Sequence, residues 1–191
     1  MPASWLSIGV IAFVMGGIIW AFGLYNGLVR SKKRLEEAWS GIDIQLQLRA
    51  SLVPHLVEIV KGYAEHERGI FEEVARARGA MQHAGGAGQA ADASNMLSQA
   101  LGRMFAVVEN YPQLRASENF MSLRSDLADV ENKIAFARPF YNRNVLDYNT
   151  KLDTYPDALI AQQTRLEPAE FFGADEDARA EVRFVFAQPA A

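Results

Sequence analysis

The chain has no cysteine among its 191 residues. That excludes disulfides, thiol catalysis, cysteine-ligated zinc and lipid attachment through an N-terminal cysteine. Histidine is scarce as well, with three in total, and no Glu-x-x-His pair of the kind that builds di-iron bundles occurs. A phosphate loop, Gly-x-Ser-x-Gly and His-Glu-x-x-His are all missing. Positive charge is not in excess: the net charge is -4, whereas a general nucleic-acid binder carries a basic face. These absences point away from an enzyme, and neither a cofactor nor a metal is expected.

What is present begins with an apolar N-terminus. Trp5 to Leu24 runs 20 residues without a charge, enough to cross a hydrocarbon core of about 30 Å as a helix. Trp5, Trp20 and Tyr25 stand near its ends, where amphipathic rings prefer the headgroup level. Ala21-Phe22-Gly23 resembles a signal-peptidase site. However, Met1 to Ser4 lacks the basic residues of a signal peptide's first region, and the apolar run is longer than such peptides use. The expectation is a transmembrane anchor over residues 1–25. Arg30, Lys32, Lys33 and Arg34 follow, so the positive-inside rule places the C-terminal domain in the cytoplasm of a bacterial inner membrane. The same charges are suited to anionic headgroups. Ala12/Gly16 and Gly17/Ala21 are small-xxx-small pairs through which two anchors can pack.

Beyond the anchor the apolar spacing is helical. Leu28, Leu35, Ala38/Trp39, Ile42, Leu46 and Val53 mark a first helix. Ile42, Ile44, Leu46 and Leu48 also alternate with polar residues, which on a helix makes two apolar sides. Ser51 and Pro54 fit a helix restart as N-cap and first-turn proline, with a kink in one longer helix as the other reading. A second helix then carries Leu56, Val60, Phe71, Val74 and Met81. Ala84 to Ser94 is Gly/Ala-rich and reads as a flexible loop, with Asp92 or Ser94 capping a third helix that stops before Tyr111-Pro112. Ser117 caps a fourth, whose stripe runs from Phe120 through Leu127, Ile134, Tyr141 and Tyr148 to Leu152, with Pro139 bending it. The fold class expected is all-α: a transmembrane helix followed by an antiparallel up-down four-helix bundle, with coiled-coil-like packing, over residues 26–157. Residues 158–191 form a C-terminal extension, partly irregular, with an acidic stretch (Glu167 to Glu181) and a short Arg183-Phe184-Val185-Phe186 run that suits an edge strand.

Several stretches together resemble the LemA family of bacterial membrane-anchored proteins. They are Tyr25-Asn26, AWSGIDIQLQLRASLVPHLVEIVKGYAEHE (Ala38 to Glu67), Ala77-Arg78, AVVENYPQLRASENF (Ala106 to Phe120), the ARPFYN and DYN pieces ending at Asn142 and Asn149, and Phe171-Phe172. The resemblance covers most of residues 25–172 and implies an N-terminal anchor and a helical bundle. It supplies no molecular role. Ser51, His55 and Pro139 depart from the family's pattern, so an amide at position 55 is not required chemistry.

Two candidate sites emerge from the residues. His55 with Glu58, and Glu65-His66-Glu67, are acid–imidazole clusters, but they read as solvated side chains rather than a metal site. The pairs Tyr25-Asn26, Tyr141-Asn142 and Tyr148-Asn149 are more telling, because asparagine is a poor helix-interior residue. With Trp39 as a packing or interface aromatic, and with Arg49 and Arg138 pairing to Asp43 or Glu131, they predict a polar network. That network either sets helix register or recognises a partner. The functional expectation is a single-pass, non-enzymatic scaffold or adaptor that holds itself or a membrane protein partner at the lipid bilayer, without nucleic acid. The rivals are a small-ligand sensory module and a metal-dependent hydrolase.

Overall fold

The structure, a computed structural model, describes the backbone of residues 2–64 and 66–173 and the side chains from residue 8 onward within them. The Arg183–Phe186 run and most of the acidic stretch lie outside the described residues. Every regular element among the described residues is helical: α1 (Pro2–Lys61), α2 (Arg68–Gln82), α3 (Ala87–Val108), the one-turn α4 (Pro112–Arg115), α5 (Glu118–Asp153) and α6 (Asp157–Thr164).

The largest difference from the sequence expectation is at Pro54, which sits inside α1 rather than starting a new helix. Ser51 is not a cap; its hydroxyl donates back to the Leu48 carbonyl at 2.7 Å. A proline in a helix interior orphans the carbonyl four residues earlier, here that of Ala50. Arg78 on α2 supplies the missing donor, its Nε reaching the Ala50 oxygen at 2.9 Å. The helix therefore continues to Lys61, 60 residues in all and about 90 Å long.

The Gly/Ala-rich stretch is the second correction. Only residues 83–86 separate α2 from α3, and Ala87, Ala90, Ala91, Ala93 and Ser94 are buried on α3. Small side chains there permit close helix approach, so a composition that suggests looseness serves tight packing. Neither Asp92 nor Ser94 caps the helix; the cap position is Gly86. Ser117 does hold the cap position of α5, though without a side-chain cap bond.

The expected stripes become the core. Leu28, Leu35, Ile42, Leu46, Val53, Leu56 and Val60 of α1 are buried, as are Phe120, Leu127, Val130, Ile134, Tyr141, Val145, Tyr148 and Leu152 of α5. The α1–α5 packing is the most extensive in the molecule, followed by α2 on α3, with α6 laid against both α1 and α5. Three contacts mark the α1–α5 alignment: Ser31 with Lys151, Trp39 with Tyr141 and Arg49 with Glu131. As α1 proceeds away from its apolar end, its partners on α5 fall in number. The end of α5 and the start of α6 thus lie on the side of the apolar segment.

Ile44 and Leu48, the second apolar side of α1, are exposed rather than buried between helices. The apolar segment itself is equally uncovered: its most hydrophobic window has no buried residue, and Phe13 is 84% exposed.

Candidate functional site

Beyond α6 the chain turns at Arg165, which takes a left-handed conformation (φ 53°), and residues 166–173 return along α5 as an extended strap. Two asparagines hold it. The Asn149 side chain accepts from the Ala169 amide at 2.9 Å and donates to the Ala169 carbonyl at 3.0 Å. The Asn142 side chain does the same for Phe172, at 2.9 and 3.2 Å. Each primary amide thereby takes the place of a neighbouring strand's backbone. The spacing makes this work. Seven residues of helix span about 10.5 Å, and the three steps from Ala169 to Phe172 span about 10 Å when extended.

The strap also delivers side chains. Phe172 is completely buried, its ring 5.9 Å from Trp39, which in turn lies 5.4 Å from Tyr141. The Arg138 guanidinium sits 5.3 Å above the Phe172 ring, within cation–π range. The Tyr141 hydroxyl donates to the Glu170 carbonyl at 2.9 Å, and burial, followed by the charge of Glu170, pushes its pKa up to about 12. Glu170 itself reaches across to α3, accepting from the Gly88 amide at 3.2 Å. A carboxylate at a helix N-terminus satisfies orphan donors and the helix dipole together, so the cap expected from α3's own residues comes from a residue 82 positions away. A Cβ at Gly86 would lie 2.9 Å from the Glu170 Oε2 atom, which keeps that position small. Gly173, the last residue described, has φ 58° and lies against Ala91 and Arg138.

Arg49 forms a second cluster. It is 4% exposed, and its guanidinium reaches Ser94 and Ser98 hydroxyls at 2.9 Å each and Glu131 at 2.8 Å. Burial lowers its pKa, and Glu131 opposes that shift. Beside it opens a cleft of about 320 Å³, lined by Arg49, Ser98, Phe105, Arg124, Leu127 and Glu131.

The expected network is thus partly assembled. Trp39, Arg138, Tyr141, Asn142 and Asn149 converge on the strap. Arg49 takes Glu131, one of its two anticipated partners, while Asp43 instead accepts from Gln47 at 2.7 Å. Arg138 pairs with neither acid and lies over Phe172. Tyr148 is buried in the α1–α5 core, its pKa raised by burial and then by Glu36. Tyr25 and Asn26 join nothing here: both are exposed. Sequence reasoning missed Arg78 and Glu170. Pro54 was the signal for Arg78, since an orphaned carbonyl four residues before it needs a donor. His55, Glu58 and His66 are exposed, and no group of three or more His, Cys, Asp or Glu among the described residues is placed to hold a metal.

The LemA family model matches residues 38–186, which include α1 from just before Trp39, the Arg49 cluster and the whole strap. Magnetosome protein MamQ of Magnetospirillum gryphiswaldense is 25% identical over 174 residues, 78% of this chain. The chain spans 64% of that protein's length. Magnetosome protein MamQ 2 of Paramagnetospirillum magneticum is also 25% identical, over 86% of this chain and 69% of its own length. Protein LemA of Metamycoplasma hominis is 22% identical over 93% of this chain and 78% of its own length. With a family model matching well over half of its residues, the chain belongs to the LemA family.

Proposed function

We propose that this protein is a single-pass, membrane-anchored scaffold or adaptor without enzymatic activity, whose four long helices form an antiparallel bundle on the cytoplasmic side of a bacterial inner membrane. The observation that carries this reading is the continuity of α1. One helix supplies an uncovered apolar segment long enough to cross a bilayer and, without a break, the central element of the folded core. A hinged domain would sample many orientations; this one is held at a set angle to its anchor. Such a geometry suits presenting a surface to neighbours in the same membrane. Two exposed apolar pairs at helical spacing, Ile44/Leu48 on α1 and Phe136/Phe140 on α5, are the surfaces that self-assembly or a membrane protein partner would cover.

The test is in-cell crosslinking of the tagged full chain in its native membranes, followed by mass spectrometry. The expected result is a homo-oligomer or a small, reproducible set of membrane partners, lost when Ile44 and Phe136 are both changed to Lys. Recovery of the chain in the soluble fraction, or crosslinks no richer than background, overturns the scaffold.

The cleft beside Arg49 favours a second reading, a sensory module for a small anionic ligand. Thermal stabilisation of the purified protein by a panel of metabolites would distinguish it.

A further inference from the structure

A separate cleft of about 400 Å³ opens between α1 and α5 at the end nearest the apolar segment, and its polar walls are Ser31, Arg34, Asn144, Asp147, Thr150 and Lys151. We propose that it binds the phosphodiester headgroup of a membrane phospholipid. This inference rests on the membrane-anchored reading above.

Height comes first. The apolar run ends at Leu24 and the first charge is Arg30, so Ser31 lies about 10 Å and Arg34 about 15 Å beyond that end along the helix axis. The headgroup layer occupies roughly 5–8 Å on each side of the hydrocarbon core. Both positions lie beyond that layer, but long basic side chains reach back towards it, so Arg34, and Lys151 on Ser31, face its outer edge. The α5–α6 turn projects towards the same side, with Tyr155 71% exposed and Leu159 uncovered beside it. These are groups suited to the interface.

Chemistry comes second. Lys151 donates to the Ser31 hydroxyl at 2.5 Å, which orients the ammonium into the cleft and fixes a buried hydroxyl there. None of the ion pairs among the described residues uses Arg34 or Lys151. Two cations and two hydroxyls give charge-assisted and neutral donors for phosphate oxygens. Asp147 opposes an anion on the same wall and leaves the cleft a net charge of about +1. A headgroup whose distal end carries donors, such as glycerol hydroxyls, answers that carboxylate. Leu146, 57% exposed, offers an apolar flank for the glycerol backbone.

The experiment uses the full chain in nanodiscs of phosphatidylcholine with a minority of phosphatidylglycerol, and counts phosphatidylglycerol retained on the protein by native mass spectrometry. Arg34→Gln with Lys151→Gln keeps polar side chains at both positions, and circular dichroism checks its helicity. It is expected to lower retention at least about ten-fold, as for the loss of a charge-assisted contact. Arg30→Gln with Lys32→Gln removes the same charge closer to the bilayer but outside the cleft, and should change retention less than about two-fold. Equal losses in the two variants would mean diffuse attraction and overturn the site alone. So would displacement of the lipid by millimolar glycerol 3-phosphate, which would assign the cleft to a soluble phosphate ester. A chain that does not enter nanodiscs overturns the membrane reading, and this site with it.

Discussion

The same dipeptide occurs three times in this chain and does two different things. Tyr141-Asn142 and Tyr148-Asn149 lie seven residues apart on α5, tyrosines buried and asparagines gripping the backbone of the returning strap. Tyr25-Asn26 sits where α1 leaves its apolar segment, exposed on both counts. The difference lies in what passes nearby. An asparagine in a helix is costly when it competes with its own backbone. It becomes stabilising when an extended chain runs alongside at a matching repeat. The motif alone does not say which holds; the neighbour does.

The sharpest way to break the contrast is to remove what the strap buries. Phe172→Ala empties a fully enclosed site between Trp39, Tyr141 and Arg138 and should cost about 3–5 kcal/mol, measured by urea denaturation of the detergent-solubilised full chain. A cost below about 1 kcal/mol would mean that the strap merely rests on the bundle. Next is Asn142→Ala, which leaves the N–H and C=O of Phe172 without partners and should cost about 2–3 kcal/mol. Hydrogen exchange should show the Phe172 amide opening first. Asn26→Ala, the same change in the exposed copy, should stay within about 0.5 kcal/mol; equal costs would erase the distinction.

Among the changes at the strap the smallest effect at neutral pH belongs to Tyr141→Phe, about 1 kcal/mol for the lost bond to the Glu170 carbonyl. It carries a pH signature. The folded-state pKa of Tyr141 is raised to about 12 from an ordinary value near 10. Its contribution is therefore complete below pH 10 and lost as pH rises towards 12, because only the unfolded chain releases the proton in that window. The Phe variant should lack that part of the alkaline loss. An unchanged alkaline profile would place Tyr141 outside the buried environment.

Much of this was legible in the residues. The buried stripes of α1 and α5 follow their apolar periodicity, because packing selects the same faces that spacing marks. The Arg49–Glu131 pair is one of the pairings the residues left open, with Asp43 as the other acid and Arg138 as the other cation; burial of Arg49 decides it, because a buried cation needs a carboxylate. At Pro54 the favoured restart fails and the alternative of one longer helix holds, since the local rule says stop, while the repair comes from Arg78 after an intervening turn. The Gly/Ala stretch was misread for a related reason: small side chains mean looseness in isolation and closeness against a partner helix. The strap was invisible to periodicity. Its residues have no repeat, and what holds them are backbone atoms, which no side-chain pattern announces.

The unbroken run of α1 through Pro54 has a mechanical side. A continuous helix is stiff in torsion, so the apolar segment and the folded domain share one phase. Inserting a single residue between Leu24 and Leu28 would turn the domain by about 100° about the helix axis, and two residues would turn it by about 200°. Each exposed face would be swung to a different direction relative to the apolar segment. Rotation or tilt of the apolar segment is likewise delivered, undiminished by any hinge, to Ile44 and Leu48 some 30 Å further along. The folded domain is geared to its apolar segment rather than tethered by it.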